Sequence, residues 1–240
     1  MDLAVATGEL ANQHQIAALW RHCLKVGRMM GFRTIVYACP PPYKKPTDPA
    51  TVLRYQGMTV PEFQSLVFGG LIAGGHLTST NSLVNARPFR WTDLVGLSSR
   101  KSECKELLAD ANRQGLDDGW IFPLFGPQGR VGLGSFGKPA TKELMDTAMG
   151  DRLHVFAQMA HLRFCQLTPN LFGLEKTLSK REMQIIAWTA AGKSNSEIST
   201  ILNISENSID SYMRRAFAKL DVHDRTSAAV KAISIDLVRT

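Results

Sequence analysis

No stretch of the 240 residues reaches the roughly 18 consecutive apolar side chains that a bilayer span requires, so no membrane-embedded role is expected. The opening residues MDLAVATGEL lack a basic head followed by an apolar core, and a cytoplasmic protein without a secretory leader is expected. Cysteine is sparse. Cys23, Cys39, Cys104 and Cys165 are scattered and form no CxxC pair, which fits isolated thiols in a reducing compartment rather than a disulfide framework. The six histidines show no metal-ligand spacing, His154 and His161 being two helical turns apart, so no metal is expected. Neither a GxSxG elbow nor a Cys-His arrangement is present, so the chain is not expected to be an enzyme. Gly132-x-Gly134-x-x-Gly137 matches the dinucleotide fingerprint, but Asp151 falls within a long helical stretch instead of ending a second strand. The βαβ unit that would use those glycines is missing, and no cofactor is expected.

With 44% hydrophobic and 20% charged residues, the chain can bury a sizeable core. Its net charge of +7 favours a polyanionic partner. That charge is not concentrated at one end, because Leu178 onward carries nine basic residues against seven acidic ones.

The apolar spacing of Leu10, Ile16, Leu19, Trp20, Leu24 and Met29 predicts a helix over 10–30, ended by Gly31. FRTIVYA at 32–38 reads as a strand, the five prolines of 39–49 as a loop, and VLRYQGM as a second strand. Short helices are expected over 61–73 and 100–114. GWIFPLFGPQGRVGLGSFGKP reads as two strands around a Gly-Pro-Gln-Gly turn. A long helix over 140–167 would turn Leu144, Met145, Met149, Leu153, Phe156, Met159 and Ala160 to one face. The aperiodic stretch 168–177 is taken as a linker between a domain at 1–167 and a second at 178–240. The expected fold class is α+β: an amino-terminal α/β/α sandwich with a largely antiparallel sheet, then a four-helix all-α domain.

That second domain shows three serine-capped helix starts. Ser179 with Glu182 and Ser194 with Glu197 fit capping boxes, and Ser205 opens a third helix. Helices are predicted over 180–191, burying Met183, Ile186, Ala187 and Ala190, and over 195–202, with Ile198, Ile201 and Leu202 inward. After a turn at Asn203-Ile204, a helix over 206–220 buries Ile209, Met213 or Tyr212, Ala216 and Leu220. Two short capped helices joined by a tight turn make a helix-turn-helix. The outer face of the last one offers Asn207, Asp210, Ser211, Arg214 and Arg215 to duplex DNA. Periodicity alone leaves open a small helical bundle with a solvated arginine pair.

The stretch from Leu178 to Ile233 resembles the carboxy-terminal domain of LuxR-type regulators. The family pattern is met by Arg181-Glu182, Gly192-Lys193, Glu197-Ile198, Ile201-Leu202, Ile204-Ser205, Lys219-Leu220 and Arg225 with Ala228. The resemblance implies base contacts at Asp210, Ser211 and Arg214, and phosphate contacts at Lys193, Asn207, Arg215 and Lys219. It further implies a homodimer through a fourth helix, reading a pseudo-palindromic operator. Two positions depart from the family. Asp210 stands where Lys or Arg is common and can accept from a cytosine amino group. Asp236 replaces a common glycine, and the last helix is expected to run past it.

The residues before 168 are similar to the autoinducer-binding domain of quorum-sensing LuxR proteins, through GFRTIVYA, RPFRW at 87–91 and the glycine-rich stretch 115–137. The resemblance implies an N-acyl-homoserine lactone site, with Trp91 donating to the lactone carbonyl, Gly119 leaving room and Ser135 near the acyl chain. Tyr37 is a further lining candidate. Counting back from Trp91 places Phe63, Val67 and His76 where the family has tryptophan, tyrosine and aspartate. No acidic residue lies between Phe63 and Thr92, so the aspartate that accepts the signal's amide N–H is missing in any register. That loss costs about 1–3 kcal/mol unless His76 or a nearby hydroxyl accepts instead. Three readings stay open: an acyl-homoserine lactone in an altered pocket, another apolar small molecule, or no ligand. Trp91 reads equally well as a core aromatic, and His76 as a hydrogen-bonded loop histidine.

Overall fold

The computed structural model describes residues 2–42, 50–59, 86–97, 101–113, 118–171 and 178–238. These fall into two compact units, Met1–Gly126 with Arg130–Pro169, and Pro127–Gly129 with Asn170–Thr240. The helix expected over 61–73 lies outside the described residues.

The first unit begins with α1 (Leu3–Gly8), a 3₁₀ turn and α2 (Ile16–Met29). The single helix predicted over 10–30 is therefore broken. Its inner stripe is Leu19, His22 and Val26, while Met29 is exposed. His22 is buried because its Nε2–H donates to the Ala6 carbonyl at 2.8 Å, tying α2 to α1. Strands β1 (Phe32–Cys39), β2 (Val52–Gln56) and β3 (Phe89–Arg90) follow. Next come a 3₁₀ turn at Trp91–Asp93, α3 (Leu94–Leu97) and α4 (Lys101–Arg113). The hairpin of β4 (Gly119–Phe125) and β5 (Val131–Pro139) then leads to α5 (Thr147–Leu167). The sheet order is β2-β1-β5-β4-β3, every neighbouring pair antiparallel.

The helix expected from residue 140 begins only at Thr147, after a 3₁₀ turn at Lys142–Met145. Trp120 explains the delay: its indole N–H donates to the Leu144 carbonyl at 3.0 Å, and its ring lies against Gly150. The inner face of α5 runs through Leu153, Phe156, Ala157, His161 and Phe164, leaving Met159 exposed.

Strand alternation sorts the sheet into two faces. Ile35, Tyr37, Phe122, Leu124 and Phe136 share one with α2 and α5. Val36, Ala38, Phe89, Trp91, Ile121 and Leu133 form a cluster on the other, joined by Ala111 and Leu108 of α4. Helices on both faces make the expected α/β/α sandwich. Gly132, Gly134 and Gly137 lie inside β5, so they open no phosphate loop. A Cβ at Gly132 would meet the His161 ring at 3.0 Å, and one at Gly137 would meet the Trp91 ring at 2.7 Å. Arg130, only 1% exposed, donates to the carbonyls of Cys165, Thr168 and Pro169. It thereby caps the carboxyl end of α5, where orphan carbonyls and the helix dipole favour a cation.

The second unit holds α6 (Lys180–Ala190), α7 (Asn195–Leu202), α8 (Glu206–Leu220) and α9 (Arg225–Ser234). Both capping boxes form, at Ser179 and Ser194, and Ser205 caps α8. Ile209, Met213, Ala216 and Leu220 are buried as predicted. On α6 the buried face is Glu182, Ile185, Ile186 and Thr189, so Met183 is exposed instead. On α7 only Ile198 is fully buried, and Ile201 is 44% exposed. The last helix stops at Ser234 rather than running on, and Asp236 takes a left-handed φ of 55° where the resembled family has glycine. Asn203 and Asp221 end α7 and α8 in the same conformation, at φ of 51° and 52°.

Gly119 pairs with Gly137 across β4 and β5, and a Cβ on Gly119 would lie 2.7 Å from the Trp91 ring. Gly119→Ala should therefore destabilise the first unit by about 1–3 kcal/mol through overpacking, read as a lower urea midpoint at unchanged slope.

Candidate functional site

The outward face of α8 follows from its cap and its buried stripe. With Ile209, Met213 and Ala216 turned in, Asn207, Asp210, Ser211, Arg214 and Arg215 are all exposed on the opposite side. The Ser211 hydroxyl donates back to the Asn207 carbonyl at 2.9 Å, and the Arg215 guanidinium lies 4.4 Å over the Tyr212 ring. Such a row of small polar residues, with arginines one turn on, suits close approach to base edges and phosphates.

Three further predicted DNA contacts, Asp210, Lys193 and Lys219, also have partners inside the unit. Asp210 accepts from the Asn195 amide at 2.6 Å. Lys193 pairs with Glu197 at 3.0 Å, within the second capping box. Those bonds, led by the Ser194 backbone N–H, lower the Glu197 carboxyl to about 2. Lys219 bonds at 2.7 Å to Glu182, whose side chain is 4% exposed. Burial works to raise the Glu182 carboxyl, but hydrogen bonds from Lys219 and Ser179 outweigh it, and it stays charged below the usual range. Lys219 therefore joins α8 to the start of α6, and a phosphate would have to compete for it. Its charge-assisted bond to a buried carboxylate is the kind whose loss is costly.

Arg225, which sequence reasoning matched only as a family residue, donates to Asn195 Oδ1 at 2.8 Å and to the Lys193 carbonyl. Asn195 is thus held on both sides, by Arg225 of α9 and Asp210 of α8. Neither its type nor its spacing marked it, because the bonds span 15 and 30 residues.

In the first unit, Trp91, Gly119 and Ser135 come together. Trp91 is 1% exposed, and its indole N–H donates to the Ser135 Oγ at 3.0 Å. The room left by Gly119 is filled by the Trp91 ring. Tyr37 lies on the other face of the sheet, where its hydroxyl donates to His161 Nδ1 at 2.9 Å. His161 Nε2–H donates onward to the Arg130 carbonyl at 3.1 Å. Burial lowers the His161 pKa to about 4, so the ring is neutral at pH 7 and carries this single tautomer. A cavity of about 60 Å³ lies beside this pair, lined by Leu19, Cys23, Ile35 and Phe156. Burial raises the Cys23 and Cys39 thiols to about 12, far from thiolate chemistry. Phe63, Val67 and His76 lie outside the described residues.

Two substitutions test these assignments. Ser135→Ala leaves the Trp91 N–H buried without its acceptor and should cost about 1–3 kcal/mol in the first unit. A ligand whose carbonyl takes that N–H should restore the loss, giving a larger thermal shift than in the unaltered chain. Lys219→Met should destabilise the second unit by about 1–3 kcal/mol in urea melts, below the full cost for a buried pair because Lys219 is partly exposed.

A family model described as bacterial regulatory proteins, luxR family, matches residues 176–232. Another, described as autoinducer binding domain, matches residues 80–164. HTH-type transcriptional regulator y4qH of Sinorhizobium fredii is 33% identical over 159 residues, covering 65% of this chain and 48% of that protein. The HTH-type quorum sensing-dependent transcriptional regulator RpaR of Rhodopseudomonas palustris is 31% identical, covering 63% and 61%. The matched region thus spans about half to three-fifths of these relatives' length. The structure of Escherichia coli SdiA shares the fold, with a TM-score of 0.76 at 18% identity over 99% of this chain and 98% of that one. SdiA in complex with octanoyl-rac-glycerol gives the same TM-score at 17% identity, over 99% and 96%. The chain belongs to the LuxR family of bacterial regulatory proteins, with an autoinducer binding domain ahead of its helix-turn-helix.

Proposed function

We propose that the chain regulates transcription by binding duplex DNA through α8, under control of an acyl-bearing small molecule held on the Trp91 face of the sheet. One observation carries the DNA reading. The five polar residues of α8 face outward together over a buried apolar stripe, in a helix-turn-helix closed by two capping boxes. Val230 and Ile233 are 61% and 43% exposed on α9, and an apolar edge of that kind supports a homodimer through this fourth helix, matched to a pseudo-palindromic operator. Arg214 and Ser211 then face bases, with Arg215, Asn207 and Lys193 toward phosphates.

The signal is an N-acyl-homoserine lactone in an altered pocket, with Trp91, Ser135 and Gly119 at its floor and Phe63, Val67 and His76 as further lining. A second reading has a specific observation in its favour. The absence of any acid between Phe63 and Thr92 removes the expected partner of the lactone's amide N–H. An acylglycerol has no such N–H, and SdiA was solved with octanoyl-rac-glycerol. A protein that takes no ligand would regulate in a signal-independent way.

Thermal melts with acyl-homoserine lactones of several chain lengths, and with 1-octanoyl-rac-glycerol, separate these readings. Ligand binding at a hundredfold excess over Kd should add about 2.7 kcal/mol of stability. A flat response to every compound would remove the sensing proposal. For the DNA reading, Arg214→Ala should weaken binding to a selected operator by about 1–3 kcal/mol in fluorescence anisotropy. Failure of the unaltered chain to bind any duplex at low salt would remove it.

A further inference from the structure

We propose that Asp210 is the specificity-determining residue of α8, selecting a base that carries an exocyclic amino group in the major groove, with Asn195 as its positioning residue. The inference rests on the DNA-reading proposal and deepens it. An acid on a DNA-facing helix repels phosphates, so its presence needs a compensating gain. An ion pair with Arg214, one turn along the same helix, would neutralise it, but no ion pair joins the two among the described residues. The carboxylate turns instead toward α7, where Oδ1 accepts from Asn195 Nδ2 at 2.6 Å. Asn195 cannot flip its amide without losing both its bonds, because its oxygen accepts from Arg225 at 2.8 Å. Arg225 is in turn anchored on the Lys193 carbonyl.

The arrangement fixes one carboxylate oxygen and leaves Oδ2 outside these bonds, on an exposed side chain. An ionised carboxylate only accepts hydrogen bonds. In the major groove it favours the amino groups of cytosine or adenine and opposes the bare acceptors of guanine and thymine. Arg214 keeps its guanidinium for a guanine or a phosphate, so acceptor and donor are displayed one turn apart.

Selection from randomised duplexes tests this, with the full chain and with Asp210→Ala, Asp210→Lys and Asn195→Ala, each checked for an unchanged melting transition. The unaltered chain should enrich cytosine or adenine at one step of each half-site, and the enriched base tells which of the two donates. Replacing that base with 2-pyrimidinone or purine, which lack the amino group, should weaken binding about tenfold. Asp210→Ala should erase the preference at that step alone, and Asp210→Lys should move it to guanine. Asn195→Ala keeps the carboxylate but should relax the same preference while affinity for unselected duplex stays within about twofold. Retention of the same base by both Asp210 variants, at undiminished discrimination, overturns the inference while leaving the DNA reading intact. Failure of the unaltered chain to enrich any duplex overturns both.

Discussion

A carboxylate taken out of water must be matched by donors, and Glu182 is matched from two directions. Its own N-cap supplies the Ser179 backbone N–H at 2.6 Å, and α8 supplies Lys219 at 2.7 Å. The first bond closes the cap that starts α6. The second fixes how α8 is rotated about its axis against α6. Since an unmatched buried charge costs several kcal/mol, alternative rotations of α8 are strongly disfavoured. The bond thus reinforces the outward direction of Asn207, Asp210 and Arg214 that the buried stripe of α8 sets.

The first unit is organised around the indole of Trp91 in a comparable way. A large ring can approach a sheet this closely only where the strands beneath it have no side chains, and Gly119 and Gly137 provide such a place side by side. Its N–H, once buried, needs an acceptor, and Ser135 on the neighbouring strand face is in reach. That N–H is therefore already satisfied, and the ligand proposed above, in taking it, would exchange one hydrogen bond for another. On that proposal net affinity would come from buried acyl surface, at about 0.8 kcal/mol per methylene, and much less from the polar head.

What the sequence made legible was local. Serine followed by glutamate three residues on is a complete device, so the starts of α6 and α7 were readable to the residue. The α8 stripe was readable because its apolar residues keep the helical period without interruption. The α6 face was readable at Ile186 but not around it. It buries Glu182 and Thr189 and exposes Met183 and Trp188, so hydrophobicity pointed the wrong way where tertiary bonds satisfied the polar groups. Tyr37 and Trp91 were both expected to line a ligand site, yet lie on opposite faces of the sheet. Trp91 belongs to a turn whose side is set by the pairing of β3 with β4, and pairing is a non-local property. Arg130 gave no sign of its role, since the carbonyls it caps lie some 35 residues away. The family resemblance supplied what periodicity lacked, and it was least informative where this chain departs from it, at Asp210 and Asp236.

Asn203, Asp221 and Asp236 turn the chain left-handed without glycine. For a residue with a Cβ such a turn holds on the order of 1 kcal/mol of strain that glycine would release. At Asp221 glycine would release that strain, whereas at Asp236 it would also forfeit the carboxylate's bond from the Gly129 N–H at 3.2 Å.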